Sequence, residues 1–133
     1  MTKYLWVAAL SLGISVVLTS CGPQRRQASQ SDDIAKLGGE FVELLSKGDS
    51  ATAVQSFDAT MKQAMPAEKL TQAWTGLTGQ LGAFKKQAGV RTATEQGFDV
   101  AYVRCEFGKG SVEVKVVFDS AKRVSGLWFL PAR

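Results

Sequence analysis

A chain of 133 residues with formal net charge +4, 45% hydrophobic residues and no histidine has material for one compact domain. The missing histidine removes the usual general base at neutral pH, the commonest zinc ligand and any Ser-His-Asp arrangement. The basic surplus is small and its groups are interleaved with acids, which argues against a nucleic-acid partner.

Met1-Thr2-Lys3 supplies a short positive start, Tyr4 to Leu18 an apolar run, and Thr19-Ser20 the small residues that precede a signal peptidase cut. The run is short for a spanning helix, which needs about 20 residues to cross ~30 Å of hydrocarbon. Leu18-Thr19-Ser20-Cys21 resembles the lipobox of bacterial lipoproteins at all four positions. That resemblance implies cleavage between Ser20 and Cys21, a diacylglyceryl group on the Cys21 thiol, and a domain held outside the cytoplasm on the cell membrane or outer membrane. Gly22, where an Asp would suggest inner-membrane retention, favours the outer one. A single acyl chain anchors only marginally at about 0.8 kcal/mol per buried methylene, so two or three on one cysteine make a stable anchor. Cys105 then has no intramolecular disulfide partner, and its apolar surroundings in sequence mark it as a small buried hydrophobe.

Gly22 to Ser31 is polar, without apolar period, and is expected to be a flexible tether with a root-mean-square span of about 17 Å. Arg25-Arg26 lies beside the anchor, where each basic residue gains roughly 1 kcal/mol from an anionic surface. The expected organisation is a signal peptide over 1–20, the lipidated cysteine and tether over 21–31, and a single domain over 32–133.

Asp32 or Asp33 is expected to cap a helix carrying Ile34, Leu37, Phe41, Leu44 and Leu45 on one stripe and ending at Gly48. A second short helix opens at Asp49 or Ser50 and carries Ala53, Val54 and Phe57. A further turn follows Asp58. Pro66 stands in the first turn of the next helix, whose stripe is Leu70, Ala73, Trp74, Leu77 and Leu81, with a stop near Gly82.

Beyond Gly82 the period becomes alternating. Strands are predicted over 84–94, 98–107, 111–118 and 123–130. A turn centred on Lys109-Gly110 would pair Phe107 with Val112, Cys105 with Val114 and Val103 with Val116, keeping both apolar rows on one face. The other face would then oppose Arg104 to Lys115 and Glu106 to Glu113, with favourable charge pairs only on the diagonals. Val124 to Leu130 is apolar on both faces, so something must cover it. Completion of the core is the preferred reading. The alternative is an association surface for a homodimer or an envelope partner, formed by Leu127, Trp128 and Phe129.

Helices first and a curved, mostly four-stranded antiparallel sheet afterwards make an α+β domain with the helices on one sheet face, the order of the cystatin-like and nuclear transport factor 2-like folds. Phe41-Val42-Glu43-Leu44-Leu45, Gly48-Asp49, Phe57-Asp58, Met65-Pro66-Ala67-Glu68-Lys69-Leu70, Trp74, Gly82-Ala83-Phe84-Lys85-Lys86 and Val116-Val117-Phe118-Asp119 resemble the domain of unknown function 3887. The resemblance covers Ile34 to Leu130 and implies fold and architecture, with no established activity. In that family the domain occurs alone in small exported proteins or ahead of an α/β hydrolase domain. No Gly-x-Ser-x-Gly elbow is present.

The nuclear transport factor 2-like resemblance also implies a cone between helices and sheet, in which some relatives place acid-base residues. Asp58, Asp99, Tyr102, Arg104, Glu106 and Asp119 are the titratable candidates by strand or loop position, with Asp58, Tyr102 and Asp119 foremost as polar groups of such a cone. Each has a structural reading: Asp58 as a helix cap, Asp119 as the opener of the turn after the third strand, and the strand residues as the solvated face. The expectation is therefore a membrane-tethered, non-catalytic binding or interaction domain, with no catalytic residue, metal or cofactor assigned. The enzymatic or small-molecule cone is the alternative.

Overall fold

The computed structural model describes residues 23–132, so Ser20 and Cys21, the predicted cleavage and lipidation residues, lie outside the described residues. The first element, α1 (Pro23–Ser46), is 24 residues long and begins ahead of the expected cap. Pro is tolerated at a helix start, and Gln, Arg and Ala are good helix formers, so the polar stretch extends the helix instead of forming a flexible tether. It has no apolar period, in keeping with the exposure of residues 26–30. Asp32 and Asp33 therefore lie inside α1 and not at its cap. Asp33 instead pairs with Lys122, whose Nζ is 2.9 Å from Oδ2. Of the expected stripe Ile34, Phe41 and Leu45 are buried and Leu37 and Leu44 pack half-buried against the core, while Val42, outside that stripe, is buried with them. The helix closes at Gly48, whose φ of 76° lets Asp49 N–H reach the Leu44 carbonyl at 2.9 Å.

Asp49 caps α2 (Ser50–Ala53) by accepting from Thr52 N–H, and a 3-10 turn over Val54–Ser56 carries the chain on. Asp58 caps α3 (Ala59–Ala64), accepting from Met61 N–H at 2.7 Å. Then α4 (Ala67–Leu81) follows Pro66 and buries Leu70 and Trp74.

The four strands β1 (Phe84–Glu95), β2 (Phe98–Phe107), β3 (Gly110–Phe118) and β4 (Val124–Pro131) form one open antiparallel sheet in sequential order. Gln96-Gly97, both at positive φ, make the two-residue β1–β2 turn. The β2–β3 turn is Gly108-Lys109, one residue earlier than expected. Phe107 consequently pairs with Gly110, Cys105 with Val112 and Val103 with Val114. The C-terminal end of α4 fixes that turn: Lys109 N–H donates to the Leu81 carbonyl at 2.7 Å and Gly108 N–H to Ala83 at 3.0 Å. A shift of two residues keeps every side chain on its expected face. It also brings Arg104 opposite Glu113 and Tyr102 opposite Lys115, so the diagonal charge pairing becomes a direct one.

The helices cover one face of the sheet. Phe57 and Phe41 rings lie 5.8 Å apart, and the Trp74 ring sits 5.7 Å from Phe84, 5.6 Å from Phe107 and 6.4 Å from Phe129. Gly38 permits α1 to approach β2 closely, since a Cβ there would lie 2.6 Å from that of Ala101. The last strand is a sheet edge and not an interior strand. Its start is covered by the main chain after Phe57, with a bridge to Val124 and a 2.9 Å bond from Asp58 N–H to the Val124 carbonyl.

Candidate functional site

The side chains of β4 divide between the two faces of the sheet. A register shift at Ser125 turns the strand so that Val124 and Leu127 both point inward. Leu127 is buried in the core, and Phe129 packs on Trp74. Neither belongs to the expected association surface. Trp128 alone of the three turns outward, 50% exposed. Its ring lies over Gly126, where a Cβ would come 2.5 Å from the indole, so the glycine leaves room for the ring to lie along the strand.

Outward-facing residues of all four strands build a groove of about 530 Å³ on the helix-free side, lined by Phe98, Val100, Val117, Trp128, Glu95 and Lys115, with Asp58 and Asp119 also lining it. Phe98 is 43% exposed, yet Val100 is wholly buried although it lies outside the helix-facing core. The groove therefore has an apolar floor between two half-exposed aromatic rings. Such a surface costs hydration, and exposed apolar patches rimmed by polar groups characterise interaction sites.

Beside the floor runs a charged network. Tyr102, 7% exposed, donates its hydroxyl to Glu95 Oε1 at 2.8 Å, and Lys115 Nζ lies 2.9 Å from Glu95 Oε2. The Arg91 guanidinium stacks 3.6 Å above the Tyr102 ring and bonds Glu113 at 2.6 Å, while Lys115 Nζ lies 5.3 Å over Trp128. Hydrogen bonds from Lys115 and then Tyr102 hold the Glu95 carboxyl below its ordinary 4.5, and the bond to Glu95 raises Lys115. A depressed carboxylate contributes stability above its unfolded value, lost as pH falls through its folded one. Wild-type denaturation midpoints are accordingly expected to drop as pH falls below 4.5, with part of that drop missing in Glu95→Gln. Identical acid slopes for the two proteins would show that the network contributes nothing.

Asp58, Tyr102 and Asp119 do not line a cone between helices and sheet. Tyr102 faces the helix-free side with the network, and Asp58 and Asp119 border the groove there. Asp119 Oδ1 accepts from Ala121 and Arg123 N–H at 2.9 Å each, so both aspartates fill the structural roles read for them. On the helix side, a second depression of about 520 Å³ is lined by Gln27, Gln30, Ile34, Thr92, Asp99 and Lys122. No group of three or more metal-ligating side chains occurs among the described residues, and no helix there is long and apolar enough to cross a membrane. Burial pushes the Cys105 thiol up to about 12, so a thiol-specific disulfide reagent is expected to modify it only on unfolding. Rapid stoichiometric reaction in native buffer would contradict its burial.

Glu95, Arg91 and Phe98 were not among the residues singled out from sequence, and Lys115 was placed opposite Arg104 and not beside Tyr102. The signal that would have found them is cross-strand pairing, because Arg91 opposite Tyr102 and Tyr102 opposite Lys115 follow once the two turns are placed.

The fold is that of an α+β domain with helices on one face of an open four-stranded antiparallel sheet and a groove with an apolar floor on the other. The chain belongs to the family described as Protein of unknown function (DUF3887), whose profile matches residues 39–127. It is similar to Esterase EstD of Thermotoga maritima, 24% identical over 92 residues that make up 69% of this chain and 22% of the esterase. No solved structure matches the chain significantly.

Proposed function

We propose that this chain is a cell-envelope lipoprotein, cleaved before Cys21 and anchored by acyl chains on its thiol, whose domain binds a partner protein without catalysing a reaction. The observation that supports the binding role is the groove on the helix-free face, with half-exposed Trp128 and Phe98 about a buried Val100 floor. Tryptophan is enriched at the energetic centres of interfaces because it buries large area with few rotatable bonds. Alignment with less than a quarter of an esterase's length fits a module that serves beside other domains as well as alone. The tying of Asp58 and Asp119 to backbone N–H groups, and of Tyr102 to Glu95, favours binding over acid-base chemistry.

A photoreactive amino acid at position 128 of the full chain, activated in intact cells, tests this reading. Discrete adducts are expected from position 128 and none from exposed Gln72 on α4, with loss of adducts in Cys21→Ala. Equal, diffuse labelling from both positions would count against a partner on this face. A second reading, a small enzyme or small-molecule site using Asp58, Tyr102 and Asp119, draws on two of these groups sharing one groove. It predicts turnover or ligand-dependent Trp fluorescence that Asp119→Asn abolishes.

A further inference from the structure

We infer that the two hairpin tips beside the start of α1 form a face that rests on the bilayer, with Phe98 as its apolar contact. This inference depends on the acylation of Cys21 proposed above. One residue, Gly22, separates Cys21 from Pro23, where the helix is already formed, so no long flexible segment intervenes. The helix is fixed to the sheet. Gln30 Nε2 donates to Asp99 Oδ2 at 2.8 Å, Lys122 reaches Asp33 at 2.9 Å, and Gln87 Nε2 donates to the Gly39 carbonyl at 2.8 Å.

These contacts orient the domain. Asp99 follows the β1–β2 turn and Lys122 lies in the β3–β4 turn, so both tips sit at the anchored end of α1. From Gln30 to Pro23 the helix rises about 10 Å, and two more residues reach at most about 7 Å beyond it. The Gly108-Lys109 turn lies at the opposite end, bonded to the close of α4. Because the start of α1 overhangs the Gln30–Asp99 contact by the rise from Gln30 to Pro23, a pronounced lean toward the helix-free side is what lowers the anchored-end tips to the headgroups, and Phe98 is the large apolar residue exposed there.

Headgroup charge is not what holds this face down. Lys122 is neutralised by Asp33, and the positive charges of Arg25, Arg26 and Arg123 at this end are matched by Asp32, Asp99 and Asp119, which offsets the pull of an anionic surface on the arginine pair. The contact is therefore indifferent to lipid charge, and attachment comes from the acyl chains and Phe98. Because Phe98 also lines the groove, with Trp128 beyond it, the groove opens next to the membrane surface. Its partner is then met at the headgroups.

The test uses the full chain purified from bacterial membranes and returned to vesicles of phosphatidylethanolamine and phosphatidylglycerol carrying a nitroxide on the headgroup. An environment-sensitive thiol dye is placed at Ser120→Cys, in the anchored-end tip, or at Lys109→Cys, at the far end; buried Cys105 stays unlabelled. Quenching at position 120 is expected to exceed that at 109 several-fold, to persist in high salt and in phosphatidylcholine vesicles, and to fall in Phe98→Ala. Equal quenching at the two positions with acylated Cys21 overturns this inference and leaves the lipoprotein reading standing. Quenching at 120 unchanged in Phe98→Ala overturns Phe98 as the contact. An unmodified Cys21 in the mass spectrum of the same sample overturns both the anchored reading and the inference that depends on it.

Discussion

Replacing Trp74 with alanine is expected to remove about 3–5 kcal/mol of stability, the usual cost of deleting a large core aromatic. The reason is local. Trp74 is one of only two buried residues on α4, and its ring meets Phe84 of β1, Phe107 of β2 and Phe129 of β4, so one side chain joins the last helix to three strands. Against a net stability of about 5–15 kcal/mol for a domain of this kind, that loss leaves a marginal fold. Trp74→Phe retains ring contact and should lose much less. Urea midpoints of the three proteins measure the effect, and a loss in Trp74→Ala below about 1 kcal/mol would show that the ring cluster does not clamp α4.

Leu127→Asp and Trp128→Ala, neighbours in sequence, are expected to behave oppositely. An aspartate at 127 would carry its charge into the core beside Val116, and a buried unpaired charge costs several kcal/mol, so the domain should unfold. Trp128→Ala acts on the outer face, where the ring lies over Gly126 and beneath Lys115. It should remain folded, with a midpoint within about 1 kcal/mol of wild type, and lose partner association. Circular dichroism and denaturation separate the pair. A folded Leu127→Asp would contradict the inward orientation of that side chain, and an unfolded Trp128→Ala would make Trp128 core and remove the proposed interface.

The order of elements was legible because the helical stripes and alternating strands each announce their period. Asp58 and Asp119 were legible as cap and turn residues because those roles are local. Register was not, since a pattern of period two looks the same after a slip of two residues. What decides it is the grip of Leu81 and Ala83 on the Gly108-Lys109 turn, a contact between distant segments. Charge pairing was the available clue. Arg104 against Glu113 and Tyr102 beside Lys115 satisfy groups that the expected register left opposed to like charges.

The start of α1 was hidden for a similar reason. A polar segment without an apolar stripe reads as tether, while the bonds from Gln30 to Asp99 and from Lys122 to Asp33 join residues 69 and 89 positions apart. The division of Leu127, Trp128 and Phe129 between faces depends on the shift at Ser125, which no alternation reveals. Half of the groove was therefore visible as an apolar last strand. The other half, Glu95 and Phe98 from the β1–β2 hairpin, became apparent only with the strands side by side.

The anchor is the premise on which the proposed location, orientation and partner all depend. Mass spectrometry of the N-terminal peptide of the protein isolated from bacterial membranes tests it most directly. A peptide beginning at Cys21 and carrying acyl-chain mass is the expected result. A peptide that still joins Ser20 to Cys21 with an unmodified thiol would contradict the account.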